Sequence, residues 1–346
     1  MDALSLHGFS LIRNGLKYDY PFRESLGALR LLCDSVVVAV GRSEDGTEQE
    51  LARLNLEQVP TIWDEQKRQG GVILSEQTNI ALNELRRRHP KGWGFYLQAD
   101  ELISEQDFAR IRQDLVEAER LDCDCISFRY LHFWQSYERI CVGKRWYPQE
   151  IRAIRLDRSI ESYGDAQSFR GWKKKFESDA VIYHYGHVRE AAAYEKKKND
   201  FHRWWHPDAD LAQVIARGEK DDRHEETVTY LGPHPALMDS RIGIQGGLSR
   251  PGRESVKVFG DPRDYSRDFL DRVQATLEWS QDERVILKEK TEDVVWLRPV
   301  SFLGRVLSFG AQRSTVPEKM ASPQARPWSK EFQALLRFSE RGVRLR

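Results

Sequence analysis

Charge of one sign, cysteine and long apolar runs are all scarce in this 346-residue chain. Lys and Arg total 54 and Asp and Glu total 54, so no global field draws the protein to nucleic acid or to an acidic partner. Specificity has to come from local groups. The four cysteines, Cys33, Cys123, Cys125 and Cys141, include a Cys-Asp-Cys step inside an apolar run. That spacing is neither a disulfide framework nor a zinc ribbon, and reduced packing residues in a cytosolic protein are expected. No stretch approaches the ~20 apolar residues of a membrane span. The N-terminus also lacks the basic and apolar regions of a signal peptide, so a soluble, cytoplasmic protein is expected. With 40% hydrophobic residues the chain can still bury a proper core, in one large domain or two smaller ones.

The apolar segments alternate in type. "HGFSLIR" at 7–13 reads as a strand ending in the turn residues Asn14 and Gly15. Pro21 then opens a stretch with Phe22, Leu26, Leu29 and Cys33 at helical spacing. "SVVVAV" at 35–40 is uninterrupted and β-branched, as suits a strand covered on both faces. A helix near 47–54, a short strand "VPTIW" and a helix capped by Ser75 with Thr78, Ala81, Leu82 and Leu85 on one face continue the pattern. After "GWGFYL", Ser104 and Asp107 form a capping-box pattern before a helix through Phe108, Ile111 and Leu115, and "CDCISFRYLHF" reads as another strand. This alternation predicts an α/β domain with a mostly parallel sheet flanked by helices. Ligands of such sheets bind beyond the carboxyl ends of the strands, where Asn14, the Asp45 loop and Asp100 all fall.

In "WGFYLQADELISEQ", residues 93–106, an apolar strand runs into two acids, Asp100 and Glu101. Carboxylates there suit a divalent cation bridged to phosphate oxygens. The plainer alternative is that they favour the amino end of the next helix.

Four pieces together, "FSLIRNG", "VVVAVGRSEDGT", "SEQTNIALNE" and "WGFYLQADELISE", resemble the GT-A-fold, family-2-like glycosyltransferases over roughly residues 5–190. Gln98 stands where that family's Asp-x-Asp signature has its first acid, giving the "LQADE" form, with "LHFWQSY" and "YHYGH" following as in a subset of the family. The resemblance implies a GT-A-like catalytic domain over 1–235 and an inverting, metal-assisted, hexosyltransferase-like activity of polysaccharide biosynthesis. The donor would be a nucleotide-diphosphate sugar, the acceptor a glycan or lipid-linked hydroxyl, and the cofactor Mg²⁺ or Mn²⁺. Residue by residue, it implies that Arg13, Asn14, Asp45 and Asn79 border the nucleotide, that Gln98 is an uncharged accessory, and that Asp100 meets metal and diphosphate. His184 would complete the metal site or steady the diphosphate, the alternative being a buried histidine bonded to backbone.

Transfer also needs charge stabilisation on the leaving group and a base on the acceptor side. Lys173, Lys174 and Arg189 are candidates for the first, against a reading as solvated charges. Asp165 in "SYGDAQSFRGW" resembles the family's base position, with Glu150 as competitor; both could instead be ion-paired to arginines. Aromatics are dense from 130 to 205, and Trp134 and Trp172 are the candidates to face an acceptor sugar rather than core. His202 and His206 sit at helical metal spacing but lack the intervening Glu of metalloproteases, which favours a surface helix.

Residues 236–346 form a motif-poor extension. From Val300 to Arg346 nine Lys/Arg face three Asp/Glu, and Trp328, Phe332, Leu335 and Leu336 share a helical face. Such a helix could contact the inner face of a membrane peripherally or dock on the catalytic domain. Two other classes stay open: a nucleotidyltransferase, although no Gly-rich basic loop is present, and a non-catalytic nucleotide-sugar or glycan-binding protein.

Overall fold

A computed structural model describes residues 4–65, 70–143, 145–189, 227–230 and 233–245, single residues between 192 and 213, and three strands at Val285–Ile286, Val295–Val300 and Val306–Ala311. The chain divides into two compact units, residues 1–130 with 148–224 and 235–239, and residues 131–147 with 225–234 and 240–346. The predicted basic helix through Trp328 and Leu336 lies outside the described residues.

The first unit is α/β. Its elements begin with β1 (Leu6–Ile12), α1 (Phe22–Leu32), β2 (Ser35–Gly41), α2 (Thr47–Ala52), β3 (Glu57–Thr61), α3 (Val72–Arg88) and β4 (Trp93–Tyr96). They continue through β5 (Glu101–Ile103), α4 (Phe108–Arg120), β6 (Cys125–Trp134), then, after β7 (Arg139–Cys141) of the second unit, β8 (Gln149–Arg155), β9 (Glu161–Tyr163), β10 (Ser168–Arg170) and β11 (Lys175–His187). β4, β1, β2 and β3 lie side by side and parallel; β8 joins β4 antiparallel, and β6 joins β8 antiparallel. β5 runs antiparallel to β11, with Leu102 opposite Tyr183 and Glu101 opposite His184.

Alternation along β1 decides which helix covers which face. Phe9 and Leu11 enter a core shared with Leu82 and Leu85 of α3. On the other side a Cβ at Gly8 would come within 3.2–3.3 Å of Val36, Cys33 and Leu29, so glycine lets α1 sit close. Every residue of β1 is buried, as expected for a strand between two helical layers. All four cysteines are free and buried.

Three local expectations change. The third helix starts a turn before Ser75, capped by Gly71 at φ 70°, because Val72–Leu74 join its apolar face; the Ser75 hydroxyl donates to the Val72 carbonyl at 2.9 Å. Ser104 caps only a short 3-10 turn, and the Asp107 carboxylate accepts from the Val181 amide at 3.2 Å instead of closing a capping box. The acids at 100–101 are followed by β5, not directly by a helix, since β11 is there to pair with it.

At the amino end of the sheet, His7 and His89 stack with ring centroids 3.6 Å apart, and Ser35 Oγ bridges His7 Nδ1 at 2.9 Å and His89 Nε2 at 3.1 Å. Burial lowers the His7 pKa; His89 and Arg112 push it the same way, and Asp34 opposes them. The folded state therefore resists a proton that the unfolded chain accepts near 6.5. This stability is in place above that value and is lost as the pH falls through the lower folded value. The midpoint of thermal unfolding should drop between pH 7 and pH 5, and His7→Gln should flatten that drop; an unchanged slope in the variant would remove His7 as its source.

The second unit holds the end of β6, β7 and β12 (Thr227–Tyr230), with Phe133 opposite Ile140 and Val228 opposite Ile140 on the other side. Phe133, Tyr230 and His234 form an aromatic cluster with centroids 5.0–5.3 Å apart.

Candidate functional site

The loops after β1 and β2 are laced by polar side chains. Asn14 turns the chain at φ 52°, and its Oδ1 accepts from the Glu44 amide at 2.9 Å. Asp45 accepts from the Lys17 amide at 2.6 Å and from both the Thr47 amide and hydroxyl, at 3.0 and 2.6 Å. Asn14 and Asp45 thus brace the two loops against each other. Arg13 donates to the Arg42 carbonyl at 3.1 Å, pairs with Glu65 at 2.5 Å and lies 5.4 Å from the Trp63 ring centre. Asn79 is placed elsewhere: its amide clips Ser162 of β9 through two bonds of 2.9 Å, which occupies both ends of the side chain.

The braced loop after β1 leads to Asp100. The Asp100 carbonyl accepts from the Tyr185 amide at 2.8 Å, tying the end of β4 to the end of β11. Its carboxylate, 7% exposed, has Lys197 Nζ at 3.4 Å and an Arg189 nitrogen at 3.8 Å from Oδ2, with His184 Nε2 at 4.0 Å from Oδ1. Arg189 donates to the Tyr18 carbonyl at 2.7 Å and to the Gly186 carbonyl, which also accepts from Lys197 at 3.1 Å. The Tyr20 ring stands 4.9 Å from the guanidinium and 5.0 Å from the ammonium. Asp200 ties the following segment to the β1 loop, accepting from Tyr18 Oη at 2.8 Å and pairing with Lys17 at 2.9 Å.

The electrostatics follow from burial and from these neighbours. Burial pushes the Asp100 pKa up, but Lys197, His184 and Arg189 together outweigh it and leave it below the usual carboxylate range. Burial pushes Lys197 down to about 7, helped by Arg189 and opposed by Asp100. Burial likewise lowers His184, against the pull of Asp100 and Glu101. Asp100 is an anion set among cationic donors.

A divalent cation about 2.0–2.1 Å from each donor could just bridge Asp100 Oδ1 and His184 Nε2. The surroundings do not favour it. Among the described residues no cluster of three or more His, Cys, Asp or Glu could hold a metal. Arg189, which cannot shed its proton, lies 3.8 Å from Asp100 Oδ2 and would repel a dication placed on this carboxylate. The donor set as arranged does not fit a divalent cation.

Gln98, at the position of the missing first acid, donates from Nε2 to the Ala166 carbonyl at 3.1 Å. That contact brings in the loop carrying both base candidates. Gln167 links them, its amide donating to Asp165 Oδ1 at 3.3 Å and its side chain to Glu150 Oε1 at 2.7 Å. Neither carboxylate is ion-paired to an arginine among the described residues. Both are partly exposed.

No protein-family model matches the chain, and no curated protein matches it in sequence. Among solved structures it is similar to S. aureus TarS at 13% identity, TM-score 0.33, over 79% of this chain and 49% of that one. The chain thus spans about half of that protein. It is also similar to S. aureus TarS 1-349 in complex with UDP, at 11% identity and TM-score 0.33 over 81% and 82% of the two chains. A third likeness is to the mannosyltransferase PcManGT from Pyrobaculum calidifontis in complex with GDP-Man and Mn²⁺, at 13% identity and TM-score 0.34 over 79% and 74%. At that identity and TM-score, what those proteins bind is not carried over to this chain.

Other sequence candidates lie apart. Trp172 is 37% exposed, but its loop is held by Asp124, which accepts from the amides of Lys173 and Lys174 at 2.7 and 2.9 Å. Cys125, next to Asp124, aligns through Ile154 with Gly94, near the amino end of β4. Trp172, Lys173 and Lys174 therefore sit at the end of the sheet opposite Asp100. Trp134 is 2% exposed within the second unit, covered by Trp146 and the Arg145 guanidinium, which leaves no open face for a sugar. His202 and His206 have ring centroids 6.1 Å apart.

Lys197, Tyr20 and Asp200 are site residues that sequence reasoning missed. Nothing in the sequence singled out Lys197; its pairing with Asp100, 97 positions earlier, does. No membrane-crossing helix occurs among the described residues.

Proposed function

We propose that this chain transfers a sugar from a nucleotide-diphosphate donor to a hydroxyl of a glycan or lipid-linked acceptor. The observation that carries the reading is the convergence of Asp100, His184, Arg189 and Lys197 where β4 and β11 end beside the loop after β1. That is the position at which open α/β sheets bind ligands. A buried cationic cluster there suits a diphosphate.

In the reaction the bond from the anomeric carbon to the diphosphate oxygen breaks, and its electron pair stays on that oxygen. The acceptor oxygen forms the new bond and gives its proton to a base. Arg189 and Lys197 meet the charge that develops on the diphosphate, while Asp100 and the Gly186 carbonyl hold those cations in place. Asp165 and Glu150 are the candidates for the base, reached through the Gln98 and Ala166 contact. Arg13 and the laced Asn14 and Asp45 loops would border the nucleoside.

The test is a thermal-shift screen of UDP, GDP, CDP and dTDP, followed by assay of the matching nucleotide sugar. One nucleoside diphosphate should raise the midpoint, and its sugar conjugate should turn over. Binding without turnover on any acceptor would favour a nucleotide-sugar-binding protein; no shift with any of the four would remove the transferase reading.

A further inference from the structure

Two buried cations compete for one carboxylate at this site, and one of them has donor capacity left over. Arg189 is 0% exposed at its side chain, yet its Nε lies buried with no acceptor among the described residues. A buried donor left unmatched is destabilising, and an anion's oxygen would relieve that cost. Lys197 carries three N–H donors, which reach Asp100 at 3.4 Å and the Gly186 carbonyl at 3.1 Å. Against these two cations the described part of the cluster sets one acid, because Gln98 is neutral and its amide is turned to Ala166.

Resting on the transferase reading, we propose that Lys197 and Arg189 are the built-in counter-cations of the donor's diphosphate, so that this chain binds a nucleoside diphosphate without a divalent metal. The charge count supports this. With Lys197 protonated, Asp100, Lys197 and Arg189 sum to one positive charge, and a diphosphate, bringing two or more negative charges, favours that protonated form. A dication would instead raise the positive charge of a site that already holds a fixed guanidinium. The first acid of the signature, whose charge would have offset that dication, is absent. Lys197 contacts Asp100 Oδ2 while His184 faces Oδ1. The Tyr20 ring, flanked by both cations at 4.9 and 5.0 Å, holds them on one side. The leaving electron pair would settle on an oxygen already facing these donors, with no reorganisation at the moment of transfer.

The test is calorimetric titration of the full chain with pyrophosphate and with the four nucleoside diphosphates, in EDTA and again in Mn²⁺. Binding should persist in EDTA, with Mn²⁺ changing affinity less than about threefold. Lys197→Met should weaken pyrophosphate about ten- to a hundredfold, and Lys197→Arg should restore most of it. Lys197→Gln serves as a second probe if the Met variant does not fold, as judged by its unfolding midpoint. Binding that requires Mn²⁺ while Lys197→Met leaves affinity unchanged would overturn the inference and leave the transferase reading standing. Pyrophosphate bound in EDTA without any nucleoside diphosphate would uphold the anion site and remove the transferase reading. Failure of every anion under both conditions would overturn both.

Discussion

Replacing Glu101 by Ala should cost the first unit about 3–5 kcal/mol, the usual loss when one partner of a buried ion pair is removed. Both side chains are 0% exposed. Arg152 grips Glu101 with two bonds of 2.7 and 2.9 Å, and Tyr130 Oη donates to the same carboxylate at 2.9 Å. The guanidinium cannot neutralise itself by losing a proton. It lies 5.2 Å from the ring centres of both Tyr96 and Tyr130, with its remaining donors on the Ile151 and Gln167 carbonyls at 2.8 and 2.7 Å. Set against a typical total of about 5–15 kcal/mol, the loss would remove roughly a fifth or more of the stability. Glu101→Leu with Arg152→Met should recover much of it, since well-packed apolar pairs often match buried ion pairs. Urea denaturation decides: a Glu101→Ala loss under about 1 kcal/mol would show that the pair is not holding this region. The Gln98 backbone N–H also donates to Glu101 at 3.0 Å, so the single variant should lose ligand binding as well.

The second large effect concerns Gly186. A Cβ there would lie 2.8 Å from a His184 ring carbon, closer still to Nε2, and 3.0 Å from Asp100 Oδ2. Gly186 is not among the glycines with positive φ, so alanine is permitted by the backbone and its effect would be purely steric. His184 is buried and has little room to yield. Gly186→Ala should therefore shift Asp100 and His184 by some tenths of an ångström to 1 Å, a displacement that can cost about a hundredfold in rate. Unfolding by heat should stay cooperative. Full activity in the alanine variant would mean that the reacting groups do not meet beside Gly186.

Much of the frame was readable from spacing. The uninterrupted "SVVVAV" became a strand buried between helices, and Phe22, Leu26 and Leu29 became the buried face of the first helix. The polar cluster lies just beyond the strand end at Tyr96, and the carboxyl ends of parallel strands are where an α/β sheet leaves room for a ligand. What spacing could not show was the division of labour between Asp100 and Glu101. Asp100 ends a turn closed by the Glu101 amide on the Gln98 carbonyl and Glu101 begins β5, and the two side chains part there, Glu101 to Arg152 and Asp100 to Lys197. Arg152 lies 51 positions from Glu101 and Lys197 lies 97 positions from Asp100.

The same distinction explains the candidates that fell away from the site. Asn79 and Trp134 belong to the right residue types, but Asn79 is held by Ser162, 83 positions away, and Trp134 is covered by Trp146, while the loop after Trp172 is held by Asp124 through Lys173 and Lys174. The sequence by itself determined the α/β alternation, the helix and strand faces and the lack of a global charge, since each depends on residues a few positions apart. Only the fold shows that Glu101 is paired inward to Arg152, that Lys197 reaches Asp100, and that a carboxylate expected to hold a metal lies beside two basic side chains, Lys197 and Arg189. Those outcomes depend on burial and on charges brought together from distant parts of the chain, where the cost of an uncompensated ion selects the partner.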